Sequence, residues 1–431
     1  ISEEEFKKFQ KSYPGQNKES LMNYLNSYQS SKVIDNKSRQ FHSNIRRLLS
    51  IKKPKEMREY QDECSTLIQN KLQNSDRNIL LVLPTGGGKT KVALDAIINY
   101  IDQSEKPLNI LWMVHSVPLC NQAEEAIISS WQEPRVGGEN QKLWLNKLNE
   151  SAQRLSNIHF DDYSSFTVAT PDTFKDVELD DNFTPFDLIV CDEAHHGIAE
   201  QERVYSKIAH KQILGLTATP ELNKDNNKFN RIYTEMIIPK NYFSQHKMKV
   251  RRSSLSRDLK SILVKEKYLS IGTIVGINAA HEADIRGLPF DSSKPWQKQP
   301  SSSIILAELA KRMYEENNCK RILVFCQEID QARLCTGILR DKGVNAAAIY
   351  SGLKRIERNS RLDGLSTEHF NVLISVDILR EGVDIPLVDG IIVFRRNVSE
   401  ESDPMFTQII GRGLRGPRSG GTEKCLVWHV T

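Results

Sequence analysis

Short apolar segments alternate with longer amphipathic segments along most of this chain, and this alternation limits its fold more than any other feature. Ten such segments form two series, at 79–83, 109–114, 166–169, 187–191 and 212–216, then at 321–326, 346–350, 371–375, 390–394 and 424–428. Strands that alternate with helices predict a parallel sheet with helices on both faces, because a parallel pair needs a long crossover connection. We therefore predict an α/β fold of two tandem, doubly wound parallel-sheet domains.

The remaining stretches divide the chain into four parts. Residues 1–54 are polar with apolar residues at helical intervals, and we predict a small N-terminal helical segment there. Residues 55–240 hold the first series of strands and residues 303–431 the second. Residues 241–302 lose this rhythm, and their basic, Pro and Ser residues predict a connector. Because the chain stops inside an apolar run, we expect the second domain to continue beyond Thr431.

The composition excludes several classes of protein. With 39% hydrophobic and 26% charged residues, the 431-residue chain is typical of globular proteins and not of disordered ones. No run approaches the roughly 18 uninterrupted apolar residues of a membrane span, so we expect no membrane partner. The seven cysteines form no CxxC pair and lie in apolar contexts, which favours buried thiols in a reducing cytoplasm over a disulfide framework or a zinc site.

The net charge of +4 is unevenly distributed along the chain. Up to Arg58 the sequence has 13 Lys and Arg against 6 Asp and Glu. This excess is consistent with a segment that faces an acidic partner, and equally with a solvated helical surface.

The string LPTGGGKT, at Leu83–Thr90, follows the first apolar segment. Consecutive glycines let a loop turn sharply and present its N–H groups to phosphate oxygens, at the positive end of the following helix. The Lys89 ammonium can reach the terminal phosphates, and the Thr90 hydroxyl can bind Mg²⁺. The usual pattern opens with Gly where this chain has Leu83, and the alternative is a Gly-rich turn without a ligand. The predicted phosphate site comprises Thr85, Gly86, Gly87, Gly88, Lys89 and Thr90.

A pair of acids ends the fourth apolar segment, in the string DLIVCDEAHH. Ligands of doubly wound sheets bind at the carboxyl ends of the strands. Asp192 is therefore a candidate Mg²⁺ ligand, and Glu193 a candidate base that deprotonates the attacking water. The alternative is an acidic helix N-terminus. Because adjacent side chains of a helix do not face each other, His195 and His196 do not predict a zinc pair.

Five strings occur in a fixed order: LPTGGGKT, DEAH, LTATP at Leu216–Pro220, SVDILREGVDIP at Ser375–Pro386 and QIIGRGLR at Gln408–Arg415. With this set, residues 55–431 resemble superfamily 2 helicases and translocases, in the DEAH-type branch typified by the motor subunits of restriction enzymes (the ResIII helicase family). The resemblance implies two RecA-like domains, ATP and Mg²⁺ as cofactors, and nucleic acid as a partner. RNA-directed DEAD-box proteins typically end their sixth motif as HRxGRxGR, so the forms QIIGRGLR and TATP favour DNA over RNA.

The resemblance also implies roles for residues that contact the nucleotide. Arg58 and Gln61 match the segment that recognises adenine, since a Gln amide offers both a donor and an acceptor. Gly382 and Asp384 match the motif that lines the nucleotide from the second domain. On a surface helix, Arg58 and Gln61 would instead be ordinary solvated residues.

Further roles implied by the resemblance concern hydrolysis and movement. Arg412 and Arg415, expected on one face of a helix, match the arginine fingers, whose guanidinium groups stay charged and bind phosphate. Closure of the two domains would then complete the charges around the phosphoryl group. The expected coupling residues are His195, Thr217, Thr219 and Gln408. The expected nucleic-acid contacts, which are also compatible with ordinary turns, are His115, Ser116, Thr170, Pro171, Ser351, Gly352 and Ser375.

Four functions remain open at this level. The first is an ATP-dependent DNA helicase or translocase, working as the motor of a restriction, antiviral defence or repair complex with a partner nuclease or defence subunit. The second is an ATPase switch that remodels a complex without unwinding, and the third is an RNA helicase. The fourth is a silent nucleic-acid-binding scaffold, against which the charged set Lys89, Glu193 and Arg412 argues.

Overall fold

The computed structural model describes residues 31–34, 57–131, 143–148, 163–175, 186–218, 230–247, 255–291, 293, 299–350, 352–353, 355–376, 387–394 and 415–431. The chain divides into two compact units, one of residues up to 83 and 88–253 and the other of residues 84–87 and 254–431. No helix in these ranges combines the length and the apolar character needed to cross a membrane.

The first unit is built on one sheet of eight described strands. Its order is β1-β4-β5-β3-β6-β7-β2-β8, and every neighbouring pair is parallel except β1 with β4. A 3-10 helix at Pro171–Phe174 follows β5. The elements are β1 (Ser31–Ile34), α1 (Glu59–Asn74), β2 (Ile79–Val82), α2 (Lys89–Asp102), β3 (Asn109–Met113), α3 (Val117–Trp131), β4 (Leu143–Lys147), β5 (Ser165–Ala169), β6 (Phe186–Cys191), α4 (Ile198–Lys207), β7 (His210–Thr217), β8 (Glu235–Ile237) and α5 (Lys240–Gln245).

The second unit contains a six-stranded sheet in which all pairs are parallel, in the order β11-β12-β10-β13-β14-β9. A 3-10 helix at Pro417–Ser419 precedes the last strand. The elements are α6 (Leu255–Lys265), β9 (Ile271–Ile277), α7 (Ala279–Asp284), α8 (Pro300–Glu315), β10 (Ile322–Cys326), α9 (Ile329–Asp341), β11 (Ala346–Ile349), α10 (Arg355–Ser366), β12 (Val372–Val376), β13 (Gly390–Phe394) and β14 (Lys424–Val430).

The predicted fold class is confirmed, and each of the ten predicted apolar segments is a strand within one to two residues of the expected bounds. The second sheet shows why these segments are apolar throughout. In β10, Val324 packs in a core with Leu309 of α8, while the next residue, Phe325, packs in the opposite core with Leu365 of α10. Both faces of the strand are buried under helices, so no polar side chain alternates along it.

Four described strands were not predicted. Three of them, β1, β4 and β8, have three to five residues each and lie at or near the edges of the first sheet. The fourth, β9, is the edge strand of the second sheet, where Ile271 and Ile274 are 48% and 46% exposed. Edge strands need no continuous apolar burial, so they lack the signal that marks central strands. Of the predicted N-terminal helical segment, only β1 lies within the described residues.

The described part of the predicted connector at 241–302 contains helices and a strand. This part continues the first unit and begins the second. The Glu63 carboxylate on α1 accepts hydrogen bonds from the backbone N–H groups of Asn241 and Tyr242, at 2.8 and 3.0 Å, which fixes α5 to the first unit. Strand β9 pairs along its whole length with β14 and so belongs to the second sheet. Residues 248–254, 292 and 294–298 of the predicted connector lie outside the described residues.

All seven cysteines are buried free thiols, as predicted. Burial raises the pKa of Cys191 to about 12, so this thiol stays protonated at neutral pH. Cysteine in this protein is a core residue.

We expect Gly215→Ala to lower the free energy of unfolding of the first unit by about 1–3 kcal/mol, which is typical of overpacking. A Cβ at this position in β7 would lie 2.5 Å from the Tyr233 ring and 2.8 Å from Leu80. The matched control is Gly276→Ala in β9, where a Cβ would meet no atom within 4 Å. Urea denaturation of both variants measures the difference, and equal effects would contradict the packing at Gly215.

Candidate active site

One edge of the first sheet collects most of the predicted site residues. The phosphate loop follows β2, the DEAHH turn follows β6, and Thr217 ends β7, which lies between these two strands. Backbone hydrogen bonds fix both turns to their neighbours: the Leu83 N–H donates to the Thr217 carbonyl at 3.2 Å, and the Ala194 N–H donates to the Leu216 carbonyl at 2.8 Å. Because parallel strands end at a common edge, residues far apart in sequence meet here.

The phosphate loop adopts a conformation that requires its glycines. Gly86 and Gly88 have φ angles of 80° and 85°, in the left-handed region that glycine adopts without a steric penalty. The Gly87 N–H donates to the Pro84 carbonyl at 2.8 Å, which closes the turn. Helix α2 begins at Lys89, as predicted, so its N-terminal dipole and amides are directed toward the loop. The loop therefore has the form of an anion site, with Leu83 accommodated as a buried residue.

Gln61 lies against this loop and not on an exposed helix surface. It is only 4% exposed, and a Cβ on Gly88 would lie 2.4 Å from its Nε2 atom. Its Oε1 accepts the Arg58 backbone N–H at 3.0 Å, which caps the first turn of α1. The Arg58 guanidinium donates to the Tyr60 hydroxyl at 2.9 Å. The structure therefore places Gln61 beside the phosphate loop; adenine recognition by Arg58 and Gln61 stays a prediction.

The DEAHH segment is a turn and not the beginning of a helix. Glu193 has a φ of 49°, and its N–H donates to Asp192 Oδ1 at 3.0 Å. The His196 N–H donates to the Glu193 carbonyl at 2.9 Å. Helix α4 starts only at Ile198. The rings of His195 and His196 consequently lie 4.1 Å apart, so the expectation that adjacent side chains diverge, which holds for a helix, is wrong here.

Glu193 and Lys89 are brought together at the centre of the site. Lys89 Nζ lies 3.5 Å from Glu193 Oε1, and the Lys89 side chain is only 9% exposed. Burial by itself would raise the pKa of Glu193, but the nearby Lys89 holds that pKa below its ordinary value. Burial, together with the charge of Glu193, raises the pKa of Asp192 to about 6. Glu193 is thus ionised and paired with Lys89, while the charge of Lys89 compensates the neighbouring Asp192 only in part.

These residues fit a bound nucleotide and Mg²⁺. Glu193 Oε2 is buried and accepts no hydrogen bond from any described residue, so the site holds a free acceptor beside the Lys89 ammonium. A cation next to Asp192 would lower the pKa of that carboxyl, because an opposite charge favours the ionised form. The residues that would hold Mg²⁺ are Thr90 and Asp192, and the loop amides with Lys89 would hold the phosphates.

His195 connects this centre to β7. Its Nδ1 lies 3.0 Å from the Thr217 hydroxyl, and burial lowers the pKa of His195 to about 4, so the ring is neutral at physiological pH. Its Nε2 is buried and has no hydrogen-bond partner within the described ranges. Two of the four expected coupling residues are therefore in contact, while Thr219 and Gln408 lie outside the described residues.

The predicted nucleic-acid contacts of the first unit follow strands that end at the same edge. His115 and Ser116 follow β3 and are half-buried, and Thr170 and Pro171 follow β5. The Thr170 hydroxyl lies 3.2 Å from the Thr173 hydroxyl, so it is partly engaged within its own turn. This placement brings both loops next to the DEAHH turn.

The expected nucleic-acid contacts of the second unit differ in their exposure. Gly352 is exposed in a turn with a φ of 97°. Ser375 is buried near the end of β12, and its contact with nucleic acid stays a prediction. Its apolar neighbour Val376 is the last residue of β12. Ser351 lies outside the described residues.

Several other predicted residues also fall outside the described ranges, namely Gly382, Asp384 and Arg412. Arg415 is described, and it forms an isolated antiparallel bridge with Leu269 and does not lie on a helix. Its carbonyl accepts hydrogen bonds from the Ser270 hydroxyl at 2.6 Å and from the Thr422 N–H at 2.8 Å. The expectation that Arg415 lies on a helix is therefore wrong, because its backbone pairs with Leu269 instead.

Two contacts near the turn were not predicted from the sequence. The rings of His115 and His196 lie 5.1 Å apart, and both line a pocket of about 310 Å³ together with Asp192, Pro171 and Gln201. Gln201 is a buried polar residue of α4 that contacts the turn directly. A lone glutamine in an amphipathic helix carries no sequence signal for such a role.

Comparisons with known proteins agree with this geometry. Residues 54–222 match the family described as "Type III restriction enzyme, res subunit", and residues 304–416 match the "Helicase conserved C-terminal domain" family. The putative mitochondrial ATP-dependent helicase irc3 of Schizosaccharomyces pombe is 24% identical over 381 residues, which cover 86% of this chain and 56% of irc3. The chain spans about half the length of the curated relatives it matches.

Two solved structures share the fold. The "ATP-dependent Type ISP restriction-modification enzyme LlaBIII bound to DNA" is 15% identical, with a TM-score of 0.58 over 87% of this chain and 28% of that chain. "S. cerevisiae Dbp5 bound to RNA and ADP BeF3" is 17% identical, with a TM-score of 0.51 over 90% of this chain and 85% of that chain. The two matched domains in their order, together with the similarity to irc3, support a superfamily 2 helicase in the ResIII family.

Proposed function

We propose that this chain hydrolyses ATP and uses the energy to move along DNA as a helicase or translocase. The observation that carries the proposal is the approach of Lys89 to Glu193 beside a glycine loop, with a free Glu193 oxygen in a buried position. Each charge on its own would be costly to bury. Their pairing at the ligand-binding edge of a doubly wound sheet is what phosphoryl transfer requires.

Phosphate binding, proton transfer and Mg²⁺ binding are assigned to different residues of this site. The loop amides and Lys89 bind the phosphates and offset the charge that develops on them. Glu193, kept ionised, takes a proton from the attacking water, and the neutral His195 holds the turn against Thr217. Mg²⁺ bound by Thr90 and Asp192 supplies further positive charge to the phosphate oxygens.

The second unit has a proposed role that rests on the sequence resemblance. Arg412 and Arg415 would supply guanidinium groups to the phosphates, and Gly382 and Asp384 would line the nucleotide. Arginine fingers of this kind raise rates by about 10³–10⁵-fold. Hydrolysis and release of the terminal phosphate would remove the negative charge that these guanidinium groups bind. The protein would then bind and release a nucleic-acid strand alternately.

DNA is favoured over RNA by the forms of the motifs and not by the fold. LlaBIII was solved with DNA and Dbp5 with RNA, so both types of ligand occur on this architecture. The Gln-first QIIGRGLR string is the feature that supports DNA, and an RNA helicase is the second candidate. His115, Ser116 and Thr170 offer polar groups suited to phosphates, which is consistent with tracking that is independent of sequence.

The biological setting is a further part of the proposal. A restriction or antiviral defence complex, with a partner nuclease, follows from the resemblance to restriction-enzyme motors. The buried thiols support a cytoplasmic site of action, whereas the relative irc3 is named as mitochondrial. An ATPase switch that does not unwind its substrate would use the same active site.

We expect Glu193→Gln to lower kcat for ATP hydrolysis by about 10²–10⁴-fold, since the amide cannot accept a proton. Nucleotide affinity should change little, because the phosphate loop and Lys89 remain. Phosphate release and the affinity for a fluorescent ATP analogue measure the two effects.

The matched control for this substitution is Glu125→Gln, at an exposed position of α3. Lys89→Ala provides a contrast, because it should weaken nucleotide binding as well as turnover. If Glu193→Gln hydrolysed ATP at the normal rate, Glu193 would not be the base.

We expect single-stranded or duplex DNA to increase the ATPase rate more than RNA of the same sequence and length. The rate is measured with and without each nucleic acid at several salt concentrations, because phosphate contacts weaken with salt. Stimulation by RNA alone would reverse the choice between DNA and RNA. A rate that no nucleic acid changes would favour the ATPase switch.

A further inference from the structure

The turn that carries Glu193 is held in a conformation that it would not adopt by itself. Glu193 has a φ of 49°, in the left-handed region that residues with a side chain rarely adopt. Strained residues persist only when their surroundings fix them. The turn that carries Glu193 must therefore be held by contacts with its neighbours.

Gln201 makes those contacts from the first turns of α4. It is 2% exposed, and its Nε2 donates to the Ala194 carbonyl at 3.2 Å and to the His196 carbonyl. These two carbonyls belong to the residues on either side of His195, within three residues of Glu193. Carbonyl oxygens can only accept hydrogen bonds, so the amide can bind here in one orientation.

Two tyrosines hold the other side of the same amide. Gln201 Oε1 accepts from the Tyr205 hydroxyl at 3.3 Å and from the Tyr233 hydroxyl at 3.4 Å. Burial raises the pKa of both tyrosines well above the usual value, so both hydroxyls keep their protons. Tyr233 is itself packed against Gly215 of β7. The amide is therefore hydrogen-bonded at both its nitrogen and its oxygen. Through these bonds it links the turn to α4 and, by way of Tyr233, to β7.

We propose that Gln201 is a positioning residue for ATP hydrolysis, which fixes the DEAHH turn so that Glu193 faces Lys89. Gln201 does not touch the substrate, and it acts only through the backbone of the turn. The inference rests on the proposed role of Glu193 as the base, and it does not depend on which nucleic acid the protein binds.

The test is Gln201→Met, which keeps the length of the side chain and removes the amide. Because misplacing a reacting group can cost up to about 10²-fold in rate, we expect kcat for ATP to fall about tenfold or more. The KM for ATP should stay within about twofold, since Lys89 and the phosphate loop keep their places. A variant that is only less stable would show a lower unfolding temperature without this split between kcat and KM.

Two variants calibrate the result. Gln212→Met removes another buried amide of the same unit, whose Nε2 donates to the Arg77 carbonyl at 2.6 Å, and we expect it to leave kcat within about twofold. Tyr205→Phe keeps both bonds of Gln201 to the turn and should lower kcat by less than about threefold. If Gln201→Met does not fold, Gln201→Glu serves instead, since it keeps the shape and sets an oxygen against the two carbonyls.

An unchanged kcat in Gln201→Met, or an equal loss in Gln212→Met, would overturn the inference. Glu193→Gln is measured in parallel under the same conditions. If Glu193→Gln loses turnover and Gln201→Met does not, only the role of Gln201 fails. If Glu193→Gln keeps turnover, the assignment of the base fails first.

Discussion

The ion pair between Lys89 and Glu193 is the interaction on which the candidate site depends. The two residues are far apart in sequence, and their side chains meet because β2, β7 and β6 are parallel neighbours that end at the same edge. A parallel sheet buried on both faces leaves its strand ends as the place where polar groups can converge. Every other feature of the site is arranged around this pair.

Electrostatics at this edge are unbalanced in a way that suits an anionic substrate with its cation. Lys89 compensates Glu193, but Asp192 has a raised pKa because burial and Glu193 both disfavour its charge. Perturbed carboxyls of this kind are concentrated at functional sites, because a poorly compensated charge away from water is destabilising. Bound Mg²⁺ would supply the positive charge that Asp192 lacks, and bound phosphates would in turn be neutralised by Mg²⁺ and Lys89.

The DEAHH turn has contacts on three sides. His195 reaches Thr217 of β7, the His196 ring lies against His115, and Gln201 holds the carbonyls of Ala194 and His196. The turn thus touches the loop that we propose to bind nucleic acid as well as the residues that we propose to hydrolyse ATP. A strained and well-anchored element in this position is suited to transmit small changes, because packed groups shift together and do not deform independently.

The sequence by itself determined the parallel α/β fold, the central strands and the place of the phosphate loop and acids. Those features depend on apolar runs, on glycine and on strings that are local in the chain. Only the tertiary structure decided that Gln201 and Tyr233 contact each other beside the turn, that Ser375 is buried, and that β9 is a sheet strand. These outcomes depend on which residues lie opposite one another in space, and the sequence does not record that. Exposed edges and turns also lack the burial that produces a periodic pattern in the sequence.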